Sequence, residues 1–344
     1  MKINTANLVQ KTVKTGSVLL LSALLAAAAQ AREFRVSSFE PAQGFFSSKI
    51  ITPWIEQVNA RLSEGNRFRL YPGSILGAPP AQQELVKKGV ADVALVVQGY
   101  SPGLFPLTSI AEVPRIAPTS ADGTQVLNQL LAEGALQKEY DDYKVIALFT
   151  THGYRVFSRE KAVRVPADMQ GMKLRTPSPY VSKLVSMLGG SGVSIPAPQV
   201  YENLDRGVVD GVLWVMDAYK TFRLNEVAPQ LTMTQLTASP LAILMNKATY
   251  SALSEADKKV IDELSGEATS RWVASVIDNY DADIETLMRN NSNVSFNDQL
   301  SAQEVAQWDK ALSGAENEWL EIQKSFGVDG LPVLQQAQKI RQLN

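Results

Sequence analysis

The side chains that could do chemistry are few and of a restricted kind. The 344 residues include one histidine, His152, and no cysteine. That removes thiol nucleophiles, disulfides, iron–sulfur clusters and lipid-modified cysteine anchors, and leaves little for a His-rich metal site. A secreted hydrolase or lyase would need a nucleophile–base pair or a metal cluster, so no catalytic residue, metal or cofactor is expected. Arg175, in the segment G-M-K-L-R-T-P-S-P (Gly171 to Pro179), offers different chemistry. A guanidinium is always charged and presents a planar fork of donors that holds a carboxylate through two bonds. Pro177 and Pro179 just beyond it would fix it in a rigid loop after a strand, and open α/β sheets bind ligands at that edge. The spacing therefore points to anion capture. The 33 basic and 35 acidic residues leave a formal charge of −2, which argues against a nucleic-acid surface.

The elements that must position these residues alternate between strand and helix. Strands are expected at Phe34 to Phe39, Arg67 to Tyr71, Val90 to Val97 and Lys144 to Phe149, with helices at Ser47 to Leu62, Gln82 to Lys88 and Thr124 to Tyr140. The nearly continuous apolar run V-A-D-V-A-L-V-V (Val90 to Val97) suits a strand covered on both faces by helices. A second set begins near His152, with strands at Tyr154 to Ser158, Met172 to Arg175, Val208 to Val215 and Leu241 to Met245, and helices at Tyr180 to Leu188 and Gln199 to Arg206. The alternation implies crossovers and a mostly parallel sheet in each of two lobes. Ser254, with Asp257 three residues on, forms a capping box. From it, apolar residues at spacings of three and four continue to about Arg289, a helix roughly 50 Å long that should cross both lobes. Ala302 to Ser325 reads as a further helix.

The first 31 residues carry a different pattern. Lys2, Lys11 and Lys14 precede a 13-residue apolar stretch, Ser17 to Ala29, which ends in Ala29-Gln30-Ala31. A basic start, a short apolar core and small residues before a cut at Arg32 make a cleaved secretory signal, and the stretch is too short to span a bilayer comfortably. The mature chain would carry 30 basic and 35 acidic groups, a charge of −5, and would not be membrane-embedded. Lacking cysteine, it folds in an oxidising compartment without disulfide chemistry. The expected location is the periplasm.

Several fragments go further. G-Y-R (Gly153 to Arg155), the block around Arg175, and L-G-G-S-G-V-S-I-P-A-P-Q-V-Y-E-N-L-D-R-G-V-V-D-G (Leu188 to Gly211) closely resemble the solute receptors of tripartite ATP-independent periplasmic (TRAP) transporters, the DctP-like dicarboxylate-receptor family. Y-P-G-S-I-L-G (Tyr71 to Gly77) and E-L-V-K-K-G-V-A-D-V-A-L (Glu84 to Leu95) extend the likeness over nearly all of the mature chain. The resemblance implies an α/β, two-lobed periplasmic-binding-protein fold with a long helix spanning both lobes. Residues 32–151 plus about 241–275 would form one lobe, and 152–240 plus about 276–344 the other.

The resemblance also implies a site. Arg175 matches the arginine that pairs with the solute carboxylate, and as a residue of an open cleft it should support little of the core. Arg155 stands where many members carry a second arginine. Trp214, Asp217 and Tyr219 follow the V-D-G turn, where a polar or aromatic solute contact is placed. Phe39, Glu40 and Gln98 end first-lobe strands at positions of polar solute contacts. Glu40 would repel a carboxylate but accept hydrogen bonds from hydroxyl or ammonium groups, which favours a solute of mixed polarity. His152 reads as a hinge residue, and Arg115 departs from the usual apolar residue. The function implied is a periplasmic receptor that captures a small organic acid and delivers it to the TRAP membrane permease, by hinge closure of two lobes. Receptors of ATP-driven importers and of membrane sensor kinases are the alternatives.

Overall fold

The computed structural model describes residues 32–342. The expected secretory segment, residues 1–31, lies outside them. In chain order the strands are β1 (Glu33–Ser37), β2 (Arg67–Tyr71), β3 (Val93–Val97), β4 (Tyr143–Thr150), β5 (Arg155–Ser158), β6 (Lys173–Thr176), β7 (Ser191–Ser194), β8 (Gly211–Trp214), β9 (Gln230–Thr232), β10 (Pro240–Asn246) and β11 (Ser295–Asn297). They form two sheets, one ordered β2-β1-β3-β10-β4 and the other β11-β9-β5-β8-β6-β7. All five residues of β3, V-A-L-V-V, are buried. This central strand runs parallel to β1 and antiparallel to β10, which also pairs antiparallel with β4. Each sheet is the heart of a lobe. The chain passes between lobes from β4 to β5, returns from β9 to β10, and crosses once more ahead of β11.

The helices show where local chemistry overrode periodicity. The expected Ser47 to Leu62 helix opens as a π-helical stretch, Phe46–Ile51, before α1 (Thr52–Asn59). Pro53 has no N–H to give to the carbonyl four residues back, and the Thr52 N–H bonds Ser47 O instead, one residue further than an α-helix reaches. The expected Thr124 to Tyr140 helix is α2 (Ser120–Ala132) plus a separate turn, Gln137–Tyr140, parted at Gly134 with φ +86°. Helices α3 (Pro179–Met187) and α4 (Met216–Thr221) follow β6 and β8.

The expected unbroken helix from Ser254 to Arg289 is two helices, α5 (Glu255–Glu263) and α6 (Glu267–Arg289). Gly266 breaks it at φ 78°, ψ −152°, a region essentially closed to other residues, and its N–H is tied to Ile146 O of β4 at 2.9 Å. Ser254 does cap α5 through the Asp257 N–H, but the Asp257 carboxylate turns away to Ser63 N and Asn66 Nδ2, so the capping box is half formed. The 23 residues of α6, about 34 Å at 1.5 Å each, pack against α2 and β4 of the first lobe and α4 of the second. The two-lobe span thus belongs to α6 alone. Ala302 to Ser325 is likewise two helices, α7 (Ala302–Ala311) and α8 (Ala315–Ser325). A last helix, α9 (Leu331–Ile340), packs on α2.

Candidate functional site

Arg175 lies on β6, level with Val193 of β7 and Val212 of β8. It does not face an open cleft: its relative exposure is 0%. Nε donates to Ile195 O at 2.8 Å and Nη2 to the Tyr100 hydroxyl at 3.0 Å. The guanidinium sits 4.2 Å over the Trp214 ring, which stacks on Phe222 at 5.2 Å. The aromatic stack fixes the guanidinium plane, and cation–π attraction offsets part of its desolvation. Nη1 has no hydrogen-bond partner, and no carboxylate of the described residues pairs with the group. A buried charge left unpaired is costly, so this geometry is built for an incoming anion.

The cavity beside Arg175 takes its walls from both lobes. Phe39, Glu40, Phe46 and Tyr100 come from the first, Trp214, Asp217 and Phe222 from the second, and Tyr154 from the segment where the chain crosses. Glu40 is 2% exposed, and its Oε2 accepts the Phe46 and Ser47 N–H groups at 2.8 and 3.3 Å. Burial, and then the nearby Asp217 charge, push the Glu40 carboxyl up to about 8. Burial, and then Asp281, push Asp217 up to about 7. The cavity thus joins one guanidinium, a wall of aromatic and aliphatic side chains and two carboxyl groups that resist ionisation. Of the sequence-derived candidates, Arg175, Trp214, Glu40, Phe39 and Asp217 meet here.

Three others lie elsewhere. Arg155 is 3% exposed and holds Asp281 of α6 through Nη1 and Nη2 at 3.1 and 2.6 Å, with Gly153 O and His152 Nδ1 as further neighbours. Gln98 donates to the Tyr140 hydroxyl at 2.6 Å and borders a neighbouring cavity with Glu112. Tyr219 stacks on Phe157 at 4.5 Å and donates to Ala228 O at 3.2 Å. His152 lies between Asp278 and Asp281, in the segment joining β4 to β5. Arg115 is held at φ 72° on the edge of a groove with Gln235 and Glu316. Sequence reasoning missed the aromatic wall of Phe46, Tyr154 and Phe222, and also Tyr100. Tyr100 stands two residues beyond Gln98, just after β3, but as one of ten tyrosines it bears no distinguishing spacing.

Two α/β lobes joined by a crossing helix, with a buried cation facing a cavity between them, define a solute-binding protein. The family model for bacterial extracellular solute-binding proteins, family 7 (DctP), matches residues 40–321, and the chain belongs to that family, the solute-binding proteins of TRAP transporters. A solute-binding protein from Albidiferax ferrireducens is 26% identical over 239 residues, 65% of this chain and 68% of that one. A TRAP solute-binding protein from a marine metagenome, specific for aromatic acid ligands and crystallised with 3-hydroxybenzoate, superposes with TM-score 0.86 at 28% identity, covering 91% of this chain and 99% of the other. One from Rhodoferax ferrireducens, in complex with copurified benzoate, gives TM-score 0.84 at 25% identity, covering 90% and 98%. The family is one of receptors, and no helix among the described residues is long and apolar enough to cross a membrane.

Proposed function

We propose that this chain, exported to the periplasm by its first 31 residues, captures a small aromatic carboxylate and delivers it to a TRAP permease. The observation that carries this is Arg175: a fully buried guanidinium with one unpartnered arm, among the described residues, beside an aromatic-walled cavity. Phe39, Phe46, Trp214 and Phe222 supply flat apolar surface for a ring. The benzoate and 3-hydroxybenzoate bound by the two solved relatives have this chemistry. Within the partition expected from the sequence, residues 32–151 with about 241–275 would close against 152–240 with about 276–344.

Calorimetric titration of the mature chain with benzoate and 3-hydroxybenzoate, against succinate and glucuronate, tests the reading. The aromatic acids should bind, and at 100 times Kd should stabilise the fold by about 2.7 kcal/mol. Arg175→Ala should weaken them by about 2–5 kcal/mol, since it strips the buried anion of its partner, or roughly thirtyfold to several thousandfold. Arg175→Lys should recover part of the loss, because it keeps the charge without the fork. Binding of succinate alone would overturn the aromatic reading, and wild-type affinity in Arg175→Ala would remove the arginine from the site.

A further inference from the structure

Tyr100 reaches Arg175 from the opposite lobe. Its hydroxyl oxygen accepts two hydrogen bonds, one from Arg175 Nη2 at 3.0 Å and one from the Ala197 backbone N–H at 3.1 Å. Both partners can only donate, and a hydroxyl offers one proton of its own beside its lone pairs. The tyrosine's proton is therefore left over, and among the described residues nothing accepts it. Tyr100 lines the same cavity as Arg175. The neighbouring guanidinium arm, Nη1, is likewise buried without a partner. Two unspent donors, one from each lobe, thus stand side by side: Nη1 of Arg175 and the hydroxyl of Tyr100.

We infer that Tyr100 is a solute-binding residue that donates its hydroxyl proton to the ligand carboxylate, so that Arg175 and Tyr100 grip one carboxylate from the two lobes. This rests on the carboxylate reading above and changes its geometry. Arg175 spends Nε on Ile195 and one Nη2 hydrogen on Tyr100, so its Nε–Nη2 edge is already engaged and the unpartnered Nη1 leads the contact with the carboxylate. The tyrosine adds a donor from the other lobe. Because Tyr100 sits in the turn that follows β3 and Arg175 lies on β6, in different sheets, the complete carboxylate site exists only when the lobes are together. The carboxylate itself then becomes the group that rewards closure. A neutral ring of the same shape would fill the aromatic wall but leave both donors unspent.

The test is titration of benzoate into wild type, Tyr100→Phe, and a protein carrying 3-fluorotyrosine at position 100, all at the same pH of about 6.5. A hydrogen bond to a charged group contributes enough that its loss in Tyr100→Phe should weaken benzoate about ten- to a hundredfold. That loss alone could also follow from a displaced Arg175. Fluorination separates the two roles, because it makes the hydroxyl a stronger donor and a weaker acceptor. Donation to the carboxylate requires tighter binding in the fluorotyrosine protein. Weaker binding there would show that the hydroxyl serves only to accept from Arg175 and Ala197, and would overturn the inference. Equal affinity across all three proteins would overturn it as well, leaving the carboxylate reading intact. Failure of benzoate to bind wild type would defeat both.

Discussion

Three buried carboxyls and the half-buried Glu139 set how stability responds to pH. Burial pushes Glu40 and Glu112 up to about 8 and Glu139 and Asp217 up to about 7. Each holds its proton more tightly folded than unfolded. Between the ordinary range near 4 and these raised values the unfolded chain is ionised and the folded one is not, so stability falls as pH rises. Each group contributes a slope on the order of 1 kcal/mol per pH unit across that window. Asp257 and Asp262, held low by their hydrogen bonds, contribute in the opposite sense and lose their contribution only as pH falls below the ordinary range. The thermal midpoint should therefore be higher at pH 5 than at pH 8.5. Glu112→Gln should flatten the decline, since the carboxyl's one hydrogen-bond partner among the described residues, the Ser178 hydroxyl, can serve a neutral amide oxygen as well. A midpoint that climbs from pH 5 to 8 would contradict these shifts.

At the scale of elements, glycines decided what periodicity could not. Gly266 holds a backbone conformation with φ 78° and ψ −152°, and a Cβ placed there would meet nothing within 4 Å. The penalty of Gly266→Ala is thus pure backbone strain, about 1–3 kcal/mol, readable as a lower urea midpoint with unchanged benzoate affinity. A neutral substitution would mean that α5 and α6 can fuse. The apolar stripe from Val260 through Trp272 to Tyr280 is real, which is why the sequence reads as one helix, but a stripe does not report the φ of a single residue. The second-lobe strand carrying Arg175 was legible because its block is distinctive, and β3 because five buried residues in a row leave no polar face. The short strands β7, β9 and β11 were not, since three or four residues of mixed character, such as S-G-V-S or Q-L-T, become strands only through neighbours far along the chain. Arg155 shows the limit for single residues. Its motif suits a ligand contact, yet its partner Asp281 lies 126 residues away, beyond the reach of any spacing argument.

At the scale of the molecule, α6 ties the lobes through two acids three residues apart on one helix face. Asp278 accepts the Ser120 and Ala121 N–H groups at 2.8 and 2.9 Å, at the start of α2 in the first lobe, where a negative charge meets the positive helix end. Asp281 pairs with Arg155 at the start of β5 in the second. The charge of Asp281 also reaches the cavity, where it helps to hold Asp217 up. Removing one member of the buried pair should be far worse than removing both. Asp281→Asn leaves the Arg155 cation without its counter-charge, an expected loss of about 3–5 kcal/mol, whereas Arg155→Met with Asp281→Leu should come within about 1–2 kcal/mol of wild type. Urea unfolding of the single and double variants measures this, and titration of the double variant with benzoate separates structure from recognition. A purely structural pair predicts that the folded double variant binds benzoate within about fivefold of wild type. A drop of thirtyfold or more, the scale of losing one buried charge partner, would instead place Arg155 in contact with the solute in the bound form and require that it exchange Asp281 for the ligand on closure.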